Sequence, residues 1–238
     1  MNQPNNTLAG STVIVTGASR GFGRGIAEAF TAAGADVIGV ARTGGTVTAD
    51  AADPATAHRL IEQYQPRTVV LCAGAAPQMS PLQEQTWESF SKNWNVDVAQ
   101  AFHWVREALL RPLAPGSTVI AFSSGAAING SPLSGGYAGA KATVRLITSY
   151  AALESQRAGL GIDFVSVLPS LTPSTDLGAQ AVAAYAERQG VDVEEFVRSL
   201  PAVLTAEQVG KSVLELATAG PWEHRAYTLS SAGLSPLG

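Results

Sequence analysis

Residues 12–34 constrain this chain most. Thr12-Val13-Ile14-Val15-Thr16 is a β-branched run bounded by Gly10-Ser11 and Gly17, the pattern of a strand buried on both faces. Gly17-Ala18-Ser19-Arg20-Gly21-Phe22-Gly23 follows at once, and a helix is predicted from Gly25 to Ala33. A strand, a glycine-rich turn and a helix in that order form the context in which backbone can approach a pyrophosphate. The free amides at the helix start then favour its negative charge. The spacing is GxxxGxG rather than GxGxxG. Glycines that merely tighten a βα turn would read the same way, so the rest of the chain has to decide.

The remaining pattern alternates strand and helix. Val37–Ala41 reads as a second strand, and Thr46–Asp50 as a third, joined to it by too few residues for a full crossover helix. Asp53-Pro54 is an N-cap followed by proline at the first helical position, with the helix running to about Tyr64. A fourth strand ends at Ala73-Gly74, where glycine lets backbone pass close to a neighbour. After a Pro/Gln/Ser-rich loop at 75–85, a long helix is predicted from Thr86 to about Leu110. On it Val98, Phe102, Val105 and Leu109 share one face, and Asn95 is an awkward polar amide. Ser117–Ser123 is strand five, Tyr137 to about Arg157 a helix, Gly161–Leu168 strand six and Ala226–Ser230 a last strand. Thr205 and Gln208 have the spacing of a capping box. This alternation implies an α/β fold: a Rossmann-type, doubly wound parallel sheet of about seven strands with helices on both faces. No linker divides the chain, so residues 1–238 are expected to form a single dinucleotide-binding and catalytic domain, with a substrate loop at about 170–200.

Composition narrows the function. A net charge of −4 gives no basic footprint for nucleic acid. Hydrophobic content of 46% supplies a core, and no apolar run is long enough to span a bilayer. The polar N-terminus has no leader pattern, so a cytoplasmic protein without membrane contact is expected. The single Cys72 excludes an internal disulfide, and His58, His103 and His224 have no ligand spacing, so no metal is expected.

Three further features carry chemistry. Where an acidic residue would bind a ribose 2′-hydroxyl at the end of strand two, the sequence has Ala41-Arg42, while Asp36 opens that strand at the wrong edge of the sheet. Arg42 with Arg20 suits a 2′-phosphate, which favours NADP(H) over NAD(H). Tyr137 and Lys141 lie four apart and share a helix face. A free phenol titrates near ~10, and a neighbouring ammonium favours the phenolate, which is the tuning a catalytic tyrosine needs. Strand five delivers Ser124 to its C-terminal tip, the ligand edge of an open α/β sheet.

Taken together these residues resemble the short-chain dehydrogenase/reductase family over essentially the whole chain. The motif TGxxxGxG is Thr16-Gly17 through Gly21-Phe22-Gly23, and YxxxK is Tyr137 to Lys141. The family serine, thirteen residues before the tyrosine, falls on Ser124 rather than Ser123. The family's helical asparagine, eight after a tryptophan, falls on Asn95 after Trp87, and its adenine-contacting aspartate on Asp50. The resemblance implies hydride transfer between a nicotinamide and a carbonyl or secondary alcohol. Tyr137 would move the proton, Ser124 polarise the substrate oxygen, Lys141 tune Tyr137 and hold the ribose, and Asn95 position a relay water. It implies cofactor contacts from Gly17, Ser19, Arg20, Gly21, Phe22, Gly23, Arg42, Asp50, Ala73, Gly74, Tyr137, Lys141, Pro169 and Ser174, and assembly as a homodimer or homotetramer. The chain departs from the family in two places. NNAG is Leu71-Cys72-Ala73-Gly74, which lacks the amide that steadies the turn after strand four. PG is Pro169-Ser170, so the following hydroxyl is Thr172, Ser174 or Thr175.

Other readings compete. A catalytically silent dinucleotide sensor or scaffold would keep the fold without Ser124, Tyr137, Lys141 and Asn95 intact. An epimerase or dehydratase would need a further acid–base residue, and none stands out at 170–200. Pro77, Met79, Trp87 and residues 171–200 are expected to line the pocket and to suit a moderately hydrophobic ketone.

Overall fold

The computed structural model of the protein describes residues 8–220 and 222–237; the polar stretch read at 1–7 lies outside them. The chain runs β1 (Thr12–Thr16), α1 (Gly21–Ala32), β2 (Asp36–Ala41), β3 (Val47–Thr48), α2 (Pro54–Tyr64), β4 (Thr68–Leu71), a 3₁₀ turn (Leu82–Glu84), α3 (Trp87–Asn93), a π-helical turn (Trp94–Val98), α4 (Ala99–Leu110) and β5 (Thr118–Phe122). It continues through α5 (Ala126–Asn129), α6 (Gly135–Ala158), β6 (Asp163–Pro169), α7 (Asp176–Gln189), α8 (Val193–Ser199), α9 (Ala206–Thr218), β7 (Ala226–Ser230) and β8 (Gly233–Pro236). The sheet has eight strands in the order β3-β2-β1-β4-β5-β6-β7-β8. All neighbours are parallel except β7 and β8, which pair antiparallel with Leu229 opposite Leu234.

Both faces of the sheet are buried, and the strands sort their side chains by the two-residue alternation of the pleat. Ile14, Val69, Leu71, Val119 and Ala121 pack on α2, α4 and α6. Val13, Val15, Val70, Ile120, Phe122 and Val165 pack on α1 and α9. A small satellite core of Val182, Ala186 and Phe196 joins α7 to α8. That is the doubly wound α/β class read from the alternation.

Several boundaries moved for identifiable reasons. Helix α1 begins at Gly21, so the second half of the glycine turn is itself the first helical turn. Strand β3 is only Val47–Thr48, pairing with Val40 and Ala41 before the chain leaves the edge. The expected apolar stripe on the long helix splits. The buried face of α4 is Ala101, Trp104, Val105 and Ala108, while Phe102 faces outward. Thr86 and Thr205 both close capping boxes, and Asp53 accepts from the Ala55 amide.

Candidate active site

The C-terminal ends of β1, β4, β5 and β6 meet along one edge of the sheet. At β1 the turn is held so tightly that side chains are excluded. A Cβ on Gly17, which has φ +71°, would lie 2.8 Å from Ala73 Cα, and one on Gly23 would lie 2.2 Å from Gly17 O. Helix α1 starts with Arg20 at its N-cap, making no side-chain cap bond, and with no acidic residue in the first turn. Its first amides are therefore left for an anion, and the bare glycine backbone gives a pyrophosphate room to approach. The turn fits a dinucleotide in this respect. Ser19 faces the short β2–β3 connection, where a Cβ on Gly44 would lie 3.7 Å from Ser19 Cβ. Phe22 sits against Phe122, with ring centroids 6.5 Å apart.

The two arginines do different things here. Arg20 pairs with Asp176 at 3.0 Å, bridging the glycine turn to the start of α7. Arg42 is exposed beyond the end of β2. Asp50 is also exposed, and its carboxylate accepts from the Ala52 amide at 2.9 Å.

The turn after β4 lacks its family amide but is tied down from four other elements. Thr16 Oγ1 accepts from the amides of Cys72 and Ala73 at 3.0 and 3.2 Å and lies 2.6 Å from Gln100 Oε1. Gln100 Nε2 in turn donates to Ala73 O at 2.8 Å. Asn93 Nδ2 donates to Ala75 O at 2.7 Å, and the Ala75 amide donates to Asp97 Oδ2 at 3.0 Å. Side chains of α3, the π turn and α4 thus do what an amide on β4 would have done.

At β5, Ser123 and Ser124 part company. Ser123 is buried and donates to Lys141 O at 2.7 Å, which fixes α6 to the strand. Ser124 is half-buried, and among the described residues its hydroxyl accepts only from the Ala126 amide, at 3.2 Å. The Gly125 amide donates to Pro169 O at 3.0 Å, bringing the end of β6 beside Ser124. Tyr137 is half-buried one turn before Lys141, whose Nζ lies 5.7 Å from the Tyr137 ring centroid. Lys141 Nζ donates to Phe122 O at 2.9 Å and lies 2.8 Å from Asp97 Oδ1. The Asp97 contact is a buried ion pair, and Oδ1 has no further partner among the described residues. Burial pulls the Lys141 ammonium down, but Asp97 and then Tyr137 push it up, and the net shift is upward. Burial pushes the Cys72 thiol up to about 12, with Lys141 opposing.

The structure does not bring Asn95 to Lys141. Asn95 is exposed, and Asp97, about half a turn away, takes the place beside the ammonium. Asn93, Asp97, Gln100 and Trp104 lie in phase with the buried face of α4, so helical periodicity carried a signal for these polar residues. A fixed count of eight from Trp87 takes no account of that phase and lands on the exposed Asn95.

Among the hydroxyls after β6, Ser174 Oγ and Thr172 Oγ1 both donate to Leu204 O, at 2.6 and 2.9 Å, and Thr175 caps α7. A Cβ on Gly21 would lie 3.5 Å from Thr175 Cγ2, so this segment covers the glycine turn. On its far side Tyr185 Oη bonds Ser131 Oγ at 2.5 Å, joining α7 to the loop before Tyr137. Trp87 lies on the surface, stacked on Phe90. Among the described residues no group of three or more His, Cys, Asp or Glu is placed to hold a metal, and no helix is long and apolar enough to cross a membrane.

An open parallel sheet with a bare glycine turn at its first crossover and a Ser/Tyr/Lys set on the same edge defines the class of dinucleotide-linked oxidoreductase folds. A family model described as enoyl-(acyl carrier protein) reductase matches residues 17–220, and the chain belongs to the short-chain dehydrogenase/reductase family. It is 29% identical over 163 residues to L-xylulose reductase of Mesocricetus auratus, covering 62% of this chain and 66% of that protein. It is 24% identical over 228 residues to carbonyl reductase [NADPH] 2 of Sus scrofa, covering 86% and 93%. Among solved structures it is similar to a putative NAD(P)-dependent gluconate 5-dehydrogenase from Beutenbergia cavernae with bound NADP. That match has 26% identity and a TM-score of 0.75, and covers 90% of this chain and 91% of the other.

Proposed function

We propose that this protein is an NADP(H)-dependent carbonyl reductase or alcohol dehydrogenase acting on a small molecule. The observation that carries the reading is the grouping of Ser124, Tyr137 and Lys141 on the sheet edge that the Gly17–Gly23 turn opens. The nicotinamide cofactor, when bound, supplies or accepts the hydride. Ser124 keeps its hydroxyl hydrogen for the substrate oxygen and polarises it. Tyr137 gives a proton to that oxygen in reduction and takes it back in oxidation. Lys141 places a positive charge beneath the Tyr137 ring and holds ribose hydroxyls. Gly17–Gly23 with Ser19, Arg20 and Phe22 cradles the pyrophosphate, and Ala73, Gly74, Pro169 and Ser174 border the nicotinamide.

Preference for NADP(H) is supported by Arg42 directly after β2 with no acidic residue there, and by the NADPH and NADP in the names of the pig relative and the Beutenbergia structure. The working unit is a homodimer or larger homo-oligomer formed through α4 and α6.

The test is oxidation of NADPH, beside NADH, against a panel of ketones and aldehydes. Tyr137→Phe is expected to lower turnover by roughly 10²–10⁴-fold while cofactor affinity stays within about twofold. Undiminished turnover in that variant would sink the role given to Tyr137. Tight cofactor binding with no turnover in the native protein would point instead to the sensor.

A further inference from the structure

The reaction proposed above uses Lys141 but leaves unexplained what keeps a buried ammonium in place and charged. We propose that Asp97 is a positioning residue of this active site, its carboxylate holding the Lys141 ammonium beneath Tyr137 and tying it to the turn after β4. The catalytic consequence rests on the oxidoreductase reading; the ion pair itself does not.

The geometry is over-determined. Asp97 Oδ1 lies 2.8 Å from Lys141 Nζ, with the two side chains 0% and 8% exposed. Oδ2 accepts from the Ala75 amide at 3.0 Å and from Asn93 Nδ2 at 3.2 Å, so the carboxylate cannot rotate without giving up both bonds. Gly74 makes room for this arrangement: a Cβ there would lie 2.8 Å from Asp97 Oδ1. Lys141 is held from its other side by Phe122 O at the end of β5. One carboxylate on the π turn therefore links β4, β5 and α6 at the point where their ends meet.

The charges around Lys141 can be counted element by element. The π turn contributes Asp97, α6 itself contributes Tyr137, the end of β4 contributes Cys72, and β5 contributes only the Phe122 carbonyl. Cys72 is a neutral thiol, held up at about 12 by burial. Tyr137 carries charge only while it has given up its proton. Among the described residues Asp97 is thus the one standing negative charge that opposes the burial of the ammonium. An amide at position 97 could keep hydrogen bonds to the Ala75 amide and Asn93 yet would carry no charge, leaving burial to drive the proton off Lys141. Tyr137 would then lose its cation as the pH rose, and turnover would fall with it.

The chain has three lysines, Lys92, Lys141 and Lys211, so protein grown on ¹³Cε-lysine gives a spectrum in which Lys141→Met assigns the site. In the native protein the Lys141 signal is expected to keep its ammonium shift through the pH range in which a free lysine loses it, because Asp97 and Tyr137 raise its value above the ordinary one. In Asp97→Asn it is expected to lose that shift roughly two or more pH units lower. Turnover of Asp97→Asn should fade across that same lower range, where the native rate holds, while a purely structural role would depress the rate equally at every pH. An unchanged Lys141 titration, or a pH-independent loss of rate, overturns the proposal. If Asp97→Asn does not fold, the double variant Asp97→Asn/Lys141→Met decides. A folded double variant shows that the unpaired ammonium was the fault and supports the pair, and an unfolded one, with Lys141→Met alone folded, overturns it. Absence of turnover in the native protein would refute the oxidoreductase reading and leave the lysine titration to judge the ion pair separately.

Discussion

Arg20 and Arg42 belong to the glycine turn and to the end of β2, and Arg20 is already engaged with Asp176. Arg20 is partnered by Asp176, an exposed pair of the kind that contributes about 0–1 kcal/mol, so a ligand phosphate can compete for it. Arg42 is exposed and follows β2 directly, where a 2′-hydroxyl or a 2′-phosphate would be distinguished. A charge-assisted hydrogen bond is worth about 1.5–3 kcal/mol, a factor of roughly 10–100 in affinity. Arg42→Asp is accordingly expected to move the ratio of kcat/KM for NADPH over NADH by at least ~10-fold toward NADH. A ratio that does not move would show that Arg42 does not read the phosphate. At this scale the sequence was legible wherever a residue's role follows from its place on a strand end. Ser124 was preferred to Ser123 on the family spacing of thirteen residues before Tyr137, and in the structure Ser123 donates to the Lys141 carbonyl. Asp97 was not legible by counting from Trp87, because a fixed count lands on the exposed Asn95, and what marks Asp97 is its phase with the buried face of α4.

Helix α6 carries Tyr137 and Lys141, and its seating depends on glycines that the sequence shows but does not rank. A Cβ on Gly136 would lie 1.9 Å from Phe90 O, a backbone atom of α3 that cannot swing aside. A Cβ on Gly139 would meet Trp94 Cζ2 at 3.8 Å, an ordinary contact. Gly136→Ala is therefore expected to destabilise by at least the ~1–3 kcal/mol of an overpacked core, and to push α6 off α3. Gly139→Ala, inside the helix and unobstructed, should stabilise by roughly 0.5–1 kcal/mol. Thermal denaturation of the two variants checks both signs, and a lowered midpoint for Gly139→Ala or an unchanged one for Gly136→Ala would contradict the packing described. Helix starts were readable because caps are local chemistry, as at Asp53-Pro54 and at Thr205 with Gln208. Strand β8 was not, because Gly233–Pro236 is too short for a period to show and owes its existence to pairing with β7. The segment after β6 read only as a loosened helix, since α7 and α8 are held by each other and by contacts such as Tyr185 with Ser131.

At the scale of the whole molecule the βα alternation fixed the class of sheet, because parallel neighbours need crossovers and crossovers take one hand. What alternation leaves open is which outer helix faces stay apolar. Leu146, Tyr150 and Leu153 recur at i, i+4 and i+7 on α6 and are 48%, 59% and 52% exposed, and Phe102 on the neighbouring α4 is 51% exposed. The core of the sheet is served by the opposite faces of these helices, through Val144 and Ala151 on α6 and Trp104 and Ala108 on α4. A two-fold axis across this surface would bury each of the exposed residues twice, and full burial of a large apolar side chain is worth about 1.5–3 kcal/mol. The proposed homodimer would thus be lost by charging the centre of the patch while the site on the other side of α6 stays intact. Tyr150→Glu with Leu153→Glu is expected to sediment at the monomer mass at tens of micromolar, where the native protein is expected to sediment as a dimer or larger. A native protein that sediments as a monomer, or a doubly substituted one that still associates, would remove α4 and α6 as the interface.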